Sequence, residues 1–146
     1  MKKWILIGIA VLMGYGSAGF DGRLAISTTL SAQATAGRVF ELRTYTAHPG
    51  KFEAMKARFR EHILPLFKKH GLELVGFWTY ADPPGSGNTL VYVLAHPSRA
   101  AAEKNWKAFI ADPVRVKAWA DTEKDGPINL KVESVYLNAF DGSPIK

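Results

Sequence analysis

The sequence predicts an α+β domain of the ferredoxin-like type, a four-stranded antiparallel sheet in βαββαβ order with its helices on one face. Three observations carry this. Four segments rich in β-formers alternate with period two, other stretches repeat apolar residues at three- and four-residue steps, and the breakers between them give the order strand, helix, strand, strand, helix, strand.

The first strand is read at Arg38 to Ala47 (RVFELRTYTA), ended by His48-Pro49-Gly50. From Lys51 to His70 the residues Phe52, Met55, Phe59, Ile63, Leu66 and Phe67 form one apolar stripe, and Gly71 stops the helix. Pro65 lies inside that run, lacks a donor and clashes one turn back, so a kink is expected near Glu61. Leu72 to Tyr80 (LELVGFWTY) and Thr89 to His96 (TLVYVLAH) flank a loop of turn residues, Ala81 to Asn88, and read as a hairpin. Ser98 is positioned to cap a helix burying Ala102, Trp106, Phe109 and Ile110. Asp112-Pro113 has the form of a second cap, opening a short helix to about Asp121 with Val116, Trp119 and Ala120 inward. Asp125-Gly126-Pro127 breaks it, and Leu130 to Phe140 is the last strand.

Ahead of these elements stands a segment with the features of an export signal. Met1-Lys2-Lys3 is a positive start, Trp4 to Met13 (WILIGIAVLM) is apolar, and Ala32 and Ala34 supply the small residues at a cleavage site. The reading is a signal peptide over 1–34 cut after Ala34, a domain over 35–146, and a periplasmic or secreted destination. An uncleaved leader acting as an anchor is the alternative and the one expected route to a membrane. With no cysteine in the chain there is no lipoprotein anchor, no iron–sulfur cluster and no cysteine nucleophile. One domain of this size buries roughly two-thirds of the surface its unfolded chain exposes, enough for a core without disulfides or metal.

Charge narrows the partners. Lys2, Lys3 and Arg23 against Asp21 account for two of the formal +6 charges, so the domain keeps +4. Its cations are interleaved with Glu53, Glu61, Glu73, Glu103 and Asp112, which makes a mixed-sign surface instead of the dense basic stripe of a nucleic-acid reader. No nucleic-acid partner is expected. His48, His62, His70 and His96 have no metal-motif spacing, and Glu61-His62 lacks the second histidine of a zinc helix, so neither metal nor cofactor is expected. Ser86 sits between two glycines but is followed by a strand, which rules out a nucleophile elbow. His70, directly before Gly71, reads as a helix C-terminal cation.

Period-two sorting divides the sheet into two faces. One is apolar or small: Phe40, Leu42, Thr44, Val75, Phe77, Thr79, Val91, Val93, Ala95, Val135, Leu137 and Ala139, and is expected to meet the helices. The other mixes aromatic and polar groups, with Glu41, Arg43, Tyr45, Trp78, Tyr80, Leu90, Tyr92, Leu94, His96, Ser134, Tyr136 and Asn138. An aromatic surface of that extent is not left bare by monomers, so a homodimer or a ligand is expected to cover it. A buried face would shed Glu41 and Arg43 unless they were paired.

The ligand-binding candidates follow from that face. Trp78, Tyr80, Tyr92 and Tyr136 would grip an apolar or aromatic body, and Arg43, Tyr45 and His96 would orient its polar end. His96 is the candidate general base should the protein catalyse a reaction. Three functions compete: a binder of a small, partly apolar molecule, a cofactor-independent monooxygenase or isomerase acting on an aromatic substrate, and a structural module that dimerises through its sheet.

Six stretches in order resemble the NIPSNAP family: Glu41-Leu-Arg-Thr-Tyr-Thr46, Pro49-Gly-Lys51, Pro65-Leu-Phe-Lys-Lys-His-Gly71, Val75-Gly-Phe-Trp78, Leu90-Val-Tyr-Val-Leu-Ala95 and Trp106-Lys-Ala-Phe-Ile-Ala-Asp-Pro113. The resemblance implies a dimeric α+β barrel in which two ferredoxin-like sheets meet face to face. It also implies kinship with small barrels that include cofactor-free monooxygenases, isomerases and haem-handling proteins, and it supplies no catalytic residues. Eukaryotic members are mitochondrial and linked to vesicle trafficking and mitophagy, whereas this chain begins with a bacterial-looking export leader.

Overall fold

The computed structural model describes residues 37–146, so the leader and its cleavage site lie outside the described residues. Four strands, β1 (Val39–Ala47), β2 (Glu73–Thr79), β3 (Thr89–His96) and β4 (Asn129–Asn138), form one antiparallel sheet in the order β2-β3-β1-β4. This is the α+β, ferredoxin-like arrangement expected. The central pair is held in register from Val39 opposite His96 to Thr46 opposite Thr89.

The first helical segment runs from α1 (Phe52–Arg58) through a π turn (Phe59–Ile63) into α2 (Leu64–Lys69). The disturbance falls where Pro65 places it, because a proline cannot donate to the carbonyl of Glu61 and crowds it. It takes the form of a wider π turn, a common way of absorbing an interrupted ladder. All six residues of the expected apolar stripe are buried. Gly71, at φ 65°, ends the helix in the left-handed region that other residues enter at a cost.

α3 (Arg99–Ala111) starts where Ser98 Oγ accepts from the Ala101 N–H, and α4 (Pro113–Thr122) where Asp112 Oδ1 accepts from the Val114 N–H. Asp112 also ties this corner to the end of α2, its Oδ2 lying 2.6 Å from Lys69 Nζ and 2.7 Å from His70 Nε2. His70 therefore meets a carboxylate in addition to the helix end. Some inward positions are corrected: Ala102 and Phe109 are buried, but Ile110, Val116 and Ala120 are exposed, and Ala118 takes the inward place on α4. A ten-residue helix joined to α3 at a capped corner presents a face set by that corner, which spacing within α4 does not specify.

The main correction concerns the sheet. The helices cover the face bearing Glu41, Arg43, Tyr45, Leu90, Tyr92, Leu94 and His96. Tyr45, Leu90, Tyr92 and Leu94 belong to the same core cluster as Phe59, Ile63, Phe67 and Phe109. The aliphatic face is the open one, with Val75, Trp78, Val135 and Leu137 exposed. A bulge at Val75 and Gly76 breaks the period-two rule on β2, so that Phe77 pairs with Tyr92 on the helix side while Trp78 pairs with Val91 on the open side. A Cβ on Gly76 would stand 2.7 Å from the outer edge of the exposed Trp78 ring, so a larger residue there would displace that ring. The exception noted for paired charges is what operates: Glu41 and Arg43 are enclosed because each has partners.

Candidate ligand cavity

Glu41, on β1, is 1% exposed and organises the helix-side face. Its Oε1 accepts from Arg43 Nη1 and Ser134 Oγ, both at 2.6 Å, and its Oε2 accepts from Trp106 Nε1 at 2.6 Å and lies 3.1 Å from His96 Nε2. Burial by itself would raise the carboxyl. Hydrogen bonds from His96, Ser134, Trp106 and Arg43 outweigh it and hold the pKa at about 2. The group is thus an ionised carboxylate inside the domain, satisfied from β1, β3, β4 and α3.

Glu41 in turn fixes Arg43. The guanidinium lies 4.3 Å from the Trp106 ring centroid and 5.6 Å from that of Tyr45, and its Nη2 donates to the Tyr45 hydroxyl at 3.2 Å. Tyr45 and Tyr92 hydroxyls are 3.3 Å apart. Tyr92 is fully buried among Phe59, Phe67 and Phe77, and burial pushes its phenol well above the usual range, so it remains protonated.

These groups form one wall of a cavity of about 100 Å³ between sheet and helices. Arg43, Tyr45 and Tyr92 come from the sheet, and Ile63 and Phe67 from the π turn and α2. Trp106, Phe109 and Ile110 come from α3, and Arg115 and Trp119 from α4. The π turn therefore contributes Ile63 directly to the cavity. Larger hollows occur beside the chain ends at Gly37, Arg38 and Asn138, on the open sheet face, and beside Lys56, Arg60 and Phe77, but none of these brings two guanidinium groups and two tyrosines together within aromatic walls as this one does.

Three of the seven residues proposed from sequence line the cavity: Arg43, Tyr45 and Tyr92. His96 is fully buried one step away, facing Glu41, and Tyr136 is half-buried at the same end, with the Arg99 guanidinium 3.5 Å from its ring centroid. Trp78 and Tyr80 are placed elsewhere. Trp78 lies on the open face, and Tyr80 lies past the end of β2 against Gly85 in the loop. The face assignment that grouped them with Arg43 fails at the bulge. Sequence reasoning missed Trp106, Phe109 and Trp119 as walls by assigning them to the core alone, and it passed over Arg115. A cation inside a short helix between Val114 and Val116 was the available signal. Among the described residues no three His, Asp or Glu side chains gather as a metal site.

A single antiparallel sheet with its helices on one face, a polar-aromatic cavity beneath them and an apolar open face defines an α+β barrel-type domain. The model of the NIPSNAP family matches residues 40–144, and the chain belongs to that family. Its fold recurs in solved structures. A NIPSNAP family protein from Agrobacterium tumefaciens has a TM-score of 0.66 at 16% identity, covering 75% of this chain and 99% of that one. A second NIPSNAP family protein from the same organism, of unknown function, gives 0.64 at 22% over 76% and 96%. A NIPSNAP domain protein from Burkholderia xenovorans gives 0.62 at 21% over 73% and 98%. No curated protein matches the chain.

Proposed function

We propose that this NIPSNAP protein binds a small, partly apolar molecule in the cavity between its sheet and helices, and that it does so as an exported homodimer. The observation that carries the binding reading is the convergence of Arg43, Tyr45 and Tyr92, held by Glu41, on a space walled by Phe67, Trp106, Phe109 and Trp119. A rigid aromatic enclosure with a few oriented polar groups is the usual make-up of a small-molecule site. Its size restricts the occupant to a molecule of a few carbons, since a cavity of roughly 150 Å³ accommodates benzene.

The homodimer is supported by the open face, where Val75, Trp78, Val135 and Leu137 make an apolar surface of the kind that monomers cover. Export is supported by the leader over 1–34. The geometry favours binding over proton transfer by His96, which is fully buried and does not line the cavity.

Calorimetric titration of the full-length protein with butyramide, a small amide with an apolar tail, tests the cavity. Saturable binding is expected, and it should be lost in Ile110→Trp, which fills the mouth from an exposed position. Absence of binding, or binding unaffected by that substitution, would overturn the reading.

A further inference from the structure

We propose that the cavity selects a small monocarboxylate, its carboxylate held between Arg43 and Arg115 and its apolar body against Trp106 and Phe109. This rests on the cavity reading above and adds the charge of the occupant.

The lining contains two guanidinium groups and no acid. Their charges are not equally compensated. Arg43 pairs with Glu41 at 2.6 Å, and the nearby Arg58 pairs with Glu123 at 2.7 Å. Arg115 makes no ion pair among the described residues, and its nearest defined contact is the Trp119 ring, 4.1 Å from its guanidinium carbon to the centroid. Trp119 also carries Arg58, 4.4 Å from its centroid on the same measure, so two cations share one indole while a single carboxylate, Glu123, serves them. An arginine does not discard its proton to escape such a place. Burial is the largest influence and disfavours its charge, as Arg58 does, while Tyr45 and Glu123 favour it; the net effect is unfavourable, and an anion in the cavity would offset it.

Hydrogen bonding points the same way. The Nε atoms of Arg43 and Arg115 are buried without an acceptor among the described residues. The Tyr45 and Tyr92 hydroxyls share one hydrogen bond, and Arg43 donates to the first of them, so one of the two hydroxyl protons also has no acceptor among the described residues. Donors are in surplus on every polar wall, and buried donors without acceptors are costly. One cavity cation without an ion-pair partner among the described residues matches a monoanion in charge, and planar guanidinium groups match a carboxylate in shape. A phosphate would bring excess negative charge into a space walled mostly by rings.

The test compares butyrate with its neutral isostere butyramide by calorimetric titration of the full-length protein at pH 7. Butyrate should bind at least about tenfold more tightly. In Arg115→Gln, with far-ultraviolet circular dichroism confirming the fold, that preference should disappear. Equal affinity for the two probes in the unsubstituted protein would overturn the carboxylate inference and leave the cavity reading standing. Binding of neither would overturn both. A preference that survives Arg115→Gln, or butyrate displaced by equimolar inorganic phosphate, would also overturn the inference.

Discussion

The indole N–H of Trp106 donates to Oε2 of Glu41 at 2.6 Å, joining the middle of α3 to the central strand β1. Through this bond the helix that walls the cavity and the strand that carries Arg43 share one acceptor. Moving either element would cost this buried carboxylate one of its four partners, which ties the cavity wall to the core.

The hydrogen bonds that Glu41 accepts from His96, Ser134, Trp106 and Arg43 together make stability depend on acid. The Glu41 carboxyl titrates at about 2 in the folded protein against an ordinary 4.5. A depressed folded value contributes stability that is fully present above the unfolded value and is lost as pH falls from about 4.5 to 2; the gap corresponds to about 3 kcal/mol. Urea titrations of the native protein and Glu41→Gln between pH 2 and 6 should show the difference between them shrinking across that window. A constant difference would contradict the assignment.

Phe67 touches Tyr92, Trp106 and Phe109, with centroids 5.7, 5.8 and 5.4 Å away, and so links sheet, α2 and α3. Phe67→Ala should cost about 3–5 kcal/mol, read as a lower urea midpoint. It should also enlarge the cavity, so larger neutral probes such as benzamide should gain affinity relative to butyramide.

Arg58 is buried and bonded to Glu123 and Asn129. Arg58→Ala should lower the urea midpoint, because it empties a fully buried site packed on Trp119 and leaves the partly exposed Glu123 without its partner. The double substitution Arg58→Met with Glu123→Gln should recover much of that loss, because it removes both charges and retains the packing on Trp119. Chemical denaturation of the three proteins separates the charge from the packing.

The open face carries a separate prediction. Trp78→Arg or Leu137→Glu should convert the proposed dimer to monomer in sedimentation velocity, since each residue is exposed on that face. Trp78→Ala should leave cavity binding unchanged, because the sheet lies between Trp78 and the cavity. Loss of butyramide binding in that variant would mean that the two faces are coupled.

Element order, the stripe from Phe52 to Phe67, both helix caps and the disturbance caused by Pro65 were legible from sequence, because each depends on residues within about one turn or one strand. The lining of the proposed cavity was partly legible. Arg43, Tyr45 and Tyr92 could be grouped by alternation along β1 and β3, which run without a bulge between them. Trp78 and Tyr80 could not be placed by the same rule, because one inserted residue at Val75 reverses the faces beyond it.

The sequence by itself determined the fold class, the family and the two chemical characters of the sheet, since periodicity and local breakers act over short distances along the chain. Only the tertiary structure decided which face the helices cover. Polarity counted residue by residue favoured enclosing the aliphatic face, but the donors that make Glu41 tolerable inside come from Arg43, His96, Trp106 and Ser134, up to 93 positions away in the chain. A buried charge is stable or ruinous according to partners that meet it only on folding, and here their meeting also builds the cavity.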